Sequence, residues 1–414
     1  MSSATGTDSA TRGLKVLIVG AGIGGLAAAI GLRQEGHELY ERSQFANEVG
    51  AAIHLTPNAN GALKRIGIDV AHYGAVEAEQ IRNFTAEGKL NFTEHVSETC
   101  NIWKHKWVLM HRAHLHRVLK EKARGSGKGK PVALHTSSKV SHVDPHTATV
   151  TLADGRTLHG DVVLGADGVH SVTRRHVSGD EVQTFTTGKN AFRFMVPKAE
   201  FLEDMELADL VRENGVVGVW HNDNTKVVIY PCVNNEVLNF VCIHPDTLTH
   251  EISHSRDQSI GKTALLDIYK NYDHRVHKML KKADSETLSI WSLLDMPSLS
   301  TWVNDRLAVM GDAAHPFLPF AASGGAMAIE DGLSLAVMLT GDMKREEVPA
   351  RLKLYEKARR DRAMKIQAFA RESGKKPLPE EEVLSMRSYI FGHDEWEYSS
   401  QLLREHRQSS TPHL

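Results

Sequence analysis

Residues 15 to 25 constrain the fold of this chain more than any other stretch. The apolar run Lys15-Val16-Leu17-Ile18-Val19 breaks into Gly20-Ala21-Gly22-Ile23-Gly24-Gly25 and resumes as Leu26-Ala27-Ala28-Ala29-Ile30. A β-branched run, a glycine cluster and an alanine-rich run predict a buried strand, a tight turn and a helix start. Gly20 then permits the turn, Gly22 lets backbone approach a pyrophosphate, and Gly25 lets the helix pack closely on the strand. The helix N-terminus adds free N–H groups and the positive end of its dipole. The stretch reads as the phosphate cradle of a dinucleotide-binding unit, with a glycine turn that binds nothing as the alternative.

The 414 residues suffice for two domains with a generous core. With 41% hydrophobic and 24% charged residues and a net charge of −2, nothing calls for a polyanionic partner such as nucleic acid. Cys100, Cys232 and Cys242 form no C-x-x-C pair, so neither a zinc site nor a dithiol couple is expected, and a reduced, cytoplasmic setting fits. Met1 to Arg12 lack the apolar core of a signal peptide. No apolar run approaches the roughly 18 residues of a membrane span.

Past the glycine turn, the helix is expected to reach Gly36 and to feed a short strand, Glu38-Leu39-Tyr40, ending at Glu41. An acid about 20 residues beyond the first glycine, at the tip of the second strand, can hold ribose hydroxyls; a surface carboxylate is the plainer reading. Val49 to Asn58 reads as an extended run of small residues entering a helix over 58–66, where a flat ring system can lie against backbone. A helix over 111–125 buries Leu115, Val118 and Leu119 and starts at Arg112, where a cation can reach a phosphate. His105, His111, His114 and His116 lack the spacing and carboxylate partner of a metal site. The basic stretch Lys120 to Lys130 reads as a solvated linker.

Turn signals at Asp144-Pro145-His146 and Asp154-Gly155 predict a β-meander, followed by a buried strand running into Gly165-Ala166-Asp167-Gly168. From Thr184 on, strands at 192–196, 216–220, 226–230, 237–243 and 287–291 predict a separate, largely antiparallel sheet. Phe192, Phe194, Val216, Trp220 and Phe240 are its candidate pocket walls. Gly261-Lys262-Thr263 resembles the end of a P-loop, but Arg256 stands where that motif needs glycine. A third buried strand, 306–310, runs into Gly311-Asp312-Ala313-Ala314-His315-Pro316, and Ser323-Gly324-Gly325 opens an apolar helix over 326–339. From Pro349 the chain has a charged helical pattern with a break at 375–382, expected to form a peripheral tail.

Three strand-to-glycine junctions in this order, at Gly20 to Gly25, Gly165 to Gly168 and Gly311 to Pro316, resemble one family over residues 14 to 370. It is the single-component FAD-dependent aromatic monooxygenases, in particular the salicylate-hydroxylase-like group that includes fungal biosynthetic hydroxylases. The resemblance implies an α/β fold with an α+β insert: a Rossmann-like FAD-binding domain (14–180 and 290–345), a mainly antiparallel substrate-binding sheet domain (181–289, with part of 75–110 a candidate contributor) and C-terminal helices (346–414). It implies that Glu41 binds the adenosine ribose, Arg112 the pyrophosphate and Asp312 a ribityl hydroxyl, and that Asp167 stands in a motif linked to FAD and NAD(P)H. Gly324 and Gly325 aim N–H groups at the flavin N1/C2 carbonyl edge, beside the small residues Ala51 and Ala52.

In such enzymes NAD(P)H reduces FAD, O₂ is taken up, and a flavin C4a-hydroperoxide hydroxylates an electron-rich ring. The absence of a second G-x-G-x-x-G agrees, since the family holds NAD(P)H only transiently. The expected partners are an aromatic small molecule, O₂ and NAD(P)H, the expected assembly a monomer or homodimer, and no metal is expected. Arg193 and Tyr230 match active-site positions of the fungal group: Arg193 can hold a phenolate or carboxylate and Tyr230 a substrate hydroxyl. Each also has a structural reading, as a paired strand arginine and a core tyrosine. His54 and His221 are further candidate bases, whereas His315 is expected to shape its loop. Two departures stand out: the strand before Glu41 is about two residues short, and Ser323 and Ala326 replace the usual Gln and Asn. The alternatives are a flavoprotein that epoxidises, rearranges or dehydrogenates a non-aromatic metabolite, and a nucleotide-binding protein without catalysis.

Overall fold

The computed structural model describes residues 13–33, 37–44, 51–127, 129–179, 182–250, 258–339, 343–375 and 378–410. The expectations for Met1 to Arg12, Gly36, Val49, Gly50 and Arg256 lie outside the described residues. One sheet runs in the order Val303–Asn304, Leu307–Val309, Val162–Gly165, Val16–Val19, His37–Tyr40 and Ala133–His135. All neighbours are parallel except the first two strands. The three central strands are buried throughout, as Val/Leu/Ile runs covered on both faces must be. Parallel register sets Val19 beside Gly165 and Gly165 beside Val309. The three glycine junctions therefore open side by side at the carboxyl ends of adjacent strands, the place where open α/β sheets bind ligands.

Helix Ile23–Gly31 crosses helix Gly324–Met338 on one face of this sheet. The crossing is so close that a Cβ on Gly332 would stand 2.7 Å from the Ala28 nitrogen. The predicted meander, Val140–Asp144, Thr149–Leu152 and Thr157–His159, packs on the other face through Val143 and Val150. The first helix ends at Gly31 rather than near Gly36. The strand ahead of Glu41 is complete despite its shortness, pairing through His37 to Tyr40 with one neighbour and through Glu38 to Tyr40 with the other.

A seven-stranded sheet has the order Ser289–Asp295, Phe185–Pro197, Val237–Pro245, Lys226–Cys232, Val216–His221, Gln80–Thr85 and Leu90–His95. Its pairs are antiparallel except Val216–His221 with Gln80–Thr85. The expected pocket walls are on the wrong face. Phe192, Phe194, Trp220 and Phe240 join a core with Tyr269, Met279 and their helices, and Val216 shares the parity of Trp220. The opposite face, with Ala191, Arg193, Val228, Tyr230 and Val241, turns toward the nucleotide-binding unit through a small sheet of Ala52–Leu55, Val108–His111 and Val76–Glu77. Gly261-Lys262-Thr263 lies inside helix Gln258–Ile268 and is not a phosphate loop.

The C-terminal helices, Val348–Ser373, Glu380–Phe391 and Glu395–Ser410, are not the peripheral tail their charge suggests. The first carries Arg359 and Arg362 into the core, where Arg359 bonds Asp331 (2.9 Å), Glu330 (2.7 Å) and Glu395, and Arg362 forks onto Glu330 (2.9 and 3.0 Å). Among the described residues Glu330, His393 and Glu395 form the only cluster with metal-ligand spacing, and Arg359 neutralises both carboxylates. Burial alone would raise the Glu330 and Asp331 carboxyls. For Glu330 the two guanidiniums outweigh it, and for Asp331 His315 and Arg359 do, so both stay below the ordinary range. Removing Arg359 takes from three buried carboxylates the guanidinium they share, leaving Glu330 to Arg362 and Asp331 to His315. Arg359→Met should cost about 3–5 kcal/mol in urea unfolding near neutral pH. Carboxyls held below 4.5 and 3.8 stabilise fully above those values and lose that contribution as pH falls through and below them. The wild-type chain should therefore weaken on acidification to about pH 3, while the variant, already deprived of the pairs, changes less.

Candidate FAD and substrate site

The glycine turn is built by crowding on one side and openness on the other. Gly20 has φ +103°, and a Cβ there would meet the Ala166 carbonyl at 2.3 Å; on Gly25 it would meet the Gly20 carbonyl at 2.0 Å. A Cβ on Gly22 would meet nothing within 4 Å, so the space in front of the turn is free. Glu41 reaches this turn: its Oε2 accepts from Ala21 N (2.8 Å) and its Oε1 from Ser43 N (2.9 Å). His116, from helix Arg112–Arg124, donates through Nε2 to the Ala21 carbonyl (2.7 Å) and pins the turn from the other side. The cavity of about 260 Å³ in front is lined by Gly20, Gly22, Glu41, Arg112, Asp167 and His170. Arg112 is exposed there, at the first position of its helix.

The other two junctions are tied to each other. Asp167 spends its carboxylate on its own loop, accepting from Ser171 Oγ (2.6 Å), Thr173 Oγ1 (2.6 Å), Val172 N (2.7 Å) and Thr173 N (3.1 Å). It shapes the cavity wall. Arg174, absent from the sequence reading, is buried and donates to Ala313 O (2.7 Å), Asp312 O (2.9 Å) and Val169 O (3.0 Å), bolting the second junction to the third. Asp312 is exposed and no hydrogen bond engages its carboxylate among the described residues, leaving an acceptor for a ligand hydroxyl. Crowding by surrounding protein raises its pKa against the opposing pull of His315, Arg112 and Arg174. His315 donates through Nε2 to Asp331 (2.6 Å) and so shapes the loop, as expected.

Helix Gly324–Met338 starts without a side-chain cap, because the Ser323 hydroxyl donates to Ala321 O (2.7 Å). The first-turn N–H groups, those of Gly324 and Gly325 among them, therefore have no side-chain acceptor from Ser323. A Cβ on Gly325 would stand 2.6 Å from Ile53 Cδ1. The Ala51-Ala52 segment is clamped to the seven-stranded sheet, since Ala52 N donates to Asn239 Oδ1 (2.9 Å) and Ala52 O accepts from Tyr230 Oη (2.9 Å). Ala51 O accepts from Arg112 N (3.1 Å). Asn239 was missed; its signal is an amide inside the otherwise apolar run 237–243.

Tyr230 and Arg193 share one sheet face. The Tyr230 ring packs edge-on against His54 (4.4 Å between centroids), and burial raises its pKa, so its oxygen is a neutral acceptor. The Arg193 guanidinium lies 5.6 Å above the Trp291 ring, and its buried Nε has no partner among the described residues. Burial, reinforced by Arg112, lowers the Arg193 pKa. Burial lowers that of His54 to about 4, leaving a neutral imidazole near pH 7. His221 is engaged with Asn83 Oδ1 (3.0 Å).

Fold and site together define a dinucleotide-binding α/β unit roofed by a β-sheet that presents a half-buried cation, Arg193. A family model described as an FAD binding domain matches residues 13–370. The chain is 31% identical to hispidin-3-hydroxylase of Neonothopanus nambi over 393 residues, covering 91% of each chain. It is 33% identical to the FAD-dependent monooxygenase cfoG of Aspergillus candidus over 383 residues, covering 86% of this chain and 85% of the other. Its fold is similar to that of CtdE, solved with FAD and a substrate, with a TM-score of 0.81 at 23% identity over 96% of this chain and 99% of that one. The chain belongs to the single-component FAD-dependent monooxygenases and carries their Rossmann-like FAD-binding fold. Among the described residues no helix is long and apolar enough to cross a membrane.

The free space at Gly22, the exposed Arg112 and the unpartnered Asp312 fit FAD. Gly22→Val should leave a folded protein, because the new side chain starts in open space, yet abolish FAD retention in gel filtration followed at 450 nm. Arg112→Ala should weaken FAD binding about 10- to 100-fold, the range for one charge-assisted hydrogen bond. Retention of FAD at wild-type affinity by both variants would remove the cradle assignment.

Proposed function

We propose that this chain hydroxylates a phenolic or similarly electron-rich aromatic small molecule, using NAD(P)H and O₂, between the Gly324 helix start and the Arg193/Tyr230 face of the sheet. The observation that carries this reading is the short strand Ala52–Leu55: Ile53 packs toward Gly325, while His54 packs against Tyr230. One strand therefore links the cofactor loop to the candidate substrate face. FAD, when bound, supplies the two-electron chemistry with NAD(P)H and the activation of O₂. The Gly324 and Gly325 N–H groups and the helix dipole stabilise negative charge at the adjoining edge of the ring. Arg193 holds the substrate oxygen as its anion, which makes the ring electron-rich, and the Tyr230 oxygen accepts from a second substrate donor while its own hydroxyl proton stays donated to the Ala52 carbonyl. His54, neutral and half-buried, packs Tyr230 in place.

In this reading 14–180 with 290–345 form the cofactor domain and 181–289 the substrate domain, with the strands Gln80–Thr85 and Leu90–His95 contributing, and 346–414 brace the cofactor loop. The free buried thiols Cys232 and Cys242 support a reducing, cytoplasmic setting.

A screen of aromatic metabolites for stimulated NADPH oxidation, followed by ¹⁸O₂ labelling, tests the proposal. One ¹⁸O atom in the product is expected; substrate-dependent oxidation without incorporation would mark a dehydrogenase or isomerase instead. Arg193→Ala should lower kcat/KM about 10- to 100-fold with FAD still bound, as expected for one charge-assisted contact. Wild-type turnover by Arg193→Ala and Tyr230→Phe would retire both assignments.

A further inference from the structure

Beyond Arg193, the same sheet face carries a second cationic pole. On strand Phe185–Pro197, Lys189, Ala191 and Arg193 alternate to this face, so Lys189 and Arg193 stand about 13 Å apart along the strand. Lys226 lies on a neighbouring strand, paired in register with Ile243 on one side and His221 on the other. The Lys189 and Lys226 ammonium groups flank the Phe320 ring, 5.3 and 5.6 Å from its centre. Phe320 belongs to the turn Pro319–Ala321, just ahead of the Gly324 helix start. Between the poles the same face carries Ala191, Val228 and Val241, packed into the core.

The two lysines share a cavity of about 860 Å³, and a second cavity of about 310 Å³ shares Lys226 and Phe320 and continues to Ala321, Ala322 and Trp107. The open space thus runs from the lysines past Phe320 to Ala322, two residues ahead of the Gly324 helix start. Lys189 donates to Gly374 O (2.6 Å), and no hydrogen bond engages Lys226 among the described residues. No carboxylate lies within 4.0 Å of either ammonium among the described residues, although Glu87 and Asp223 stand on the exposed rim. Two like charges in a half-buried slot with no counter-ion are costly, and a cleft that keeps them is suited to receive an anion. Burial, and for Lys226 the nearby Lys189, lowers their pKa values.

We propose that Lys226 and Lys189 bind an anionic oxygen group at the far end of the substrate, making the preferred substrate an extended aromatic acid whose ring to be hydroxylated lies toward Arg193. This rests on the hydroxylase reading above for the position of the reacting ring. The anion is a carboxylate or an ionised phenol, and a panel separates the two: 4-hydroxycinnamate, its primary amide, and 4-methoxycinnamate. Binding to the FAD-loaded enzyme is followed by the flavin difference spectrum, and NADPH oxidation is measured in parallel.

A carboxylate at the lysine pole predicts that both acids bind at least tenfold more tightly than the amide, and that Lys226→Met and Lys189→Met remove this preference. An ionised phenol there predicts that 4-hydroxycinnamate and its amide bind more tightly than the methoxy acid, again only while the lysines are present. In either case the lysine variants should raise KM more than they lower kcat and should keep FAD. An affinity order unchanged by Lys226→Met and Lys189→Met, or no binding by any of the three at millimolar concentration, overturns the proposal. Lysine-dependent binding without hydroxylation of any panel member or screened aromatic would leave the anion site standing and overturn the hydroxylase reading. Hydroxylation of neutral phenols indifferent to both lysines would do the reverse.

Discussion

The site depends on the way Asp331 is shared. One of its oxygens accepts from Gly311 N (2.8 Å) and from His315 Nε2 (2.6 Å), and the other is held by Arg359 (2.9 Å). A carboxylate buried with that many donors has no low-energy alternative arrangement. The third glycine junction, the helix that follows it and the long C-terminal helix are fixed to one another through it. Glu330, one residue earlier, extends the same network to Asn58 (2.6 Å) at the start of the helix after Ala52–Leu55. Buried charge holds the cofactor loop and the small-residue strand at a set distance.

Onto that frame the parallel sheet brings three loops that sequence separates by nearly the whole chain. Gly20 and Gly25 work by crowding, Gly22 by leaving space, and Arg174 locks the second loop to the third. The seven-stranded sheet is tied to this frame by polar bonds that include Tyr230 and Asn239 to Ala52 and Arg371 to Asp295.

What sequence revealed followed from how local each signal is. The glycine roles at 20, 22 and 25 are properties of adjacent residues, so the motif carried them, and strand parity preserved Glu41 although its strand is short. Arg174, Asn239 and Arg359 act on partners far along the chain, and nothing nearby marks an arginine as buried. The charged period from Pro349 on read as a solvated tail because Arg359 and Arg362 neutralise carboxylates supplied by another helix. Alternation puts Phe192, Phe194, Trp220 and Phe240 on one face of the sheet but cannot say which face meets the helices, and it is theirs that does. The strand beginning at Phe185 started late in the sequence reading because Thr186 to Asn190 is polar and contains Gly188 at φ +76°.

We infer that the three junctions form one cradle for both halves of FAD, with the adenosine half at Gly20 to Gly25, Glu41 and Arg112. Titration of the apoprotein with FAD, FMN and riboflavin, followed by flavin fluorescence quenching, tests it most directly. The cradle predicts that FAD binds at least about 100-fold more tightly than FMN, because only FAD reaches Glu41 and both phosphates. Equal affinity for FAD and FMN would contradict the account.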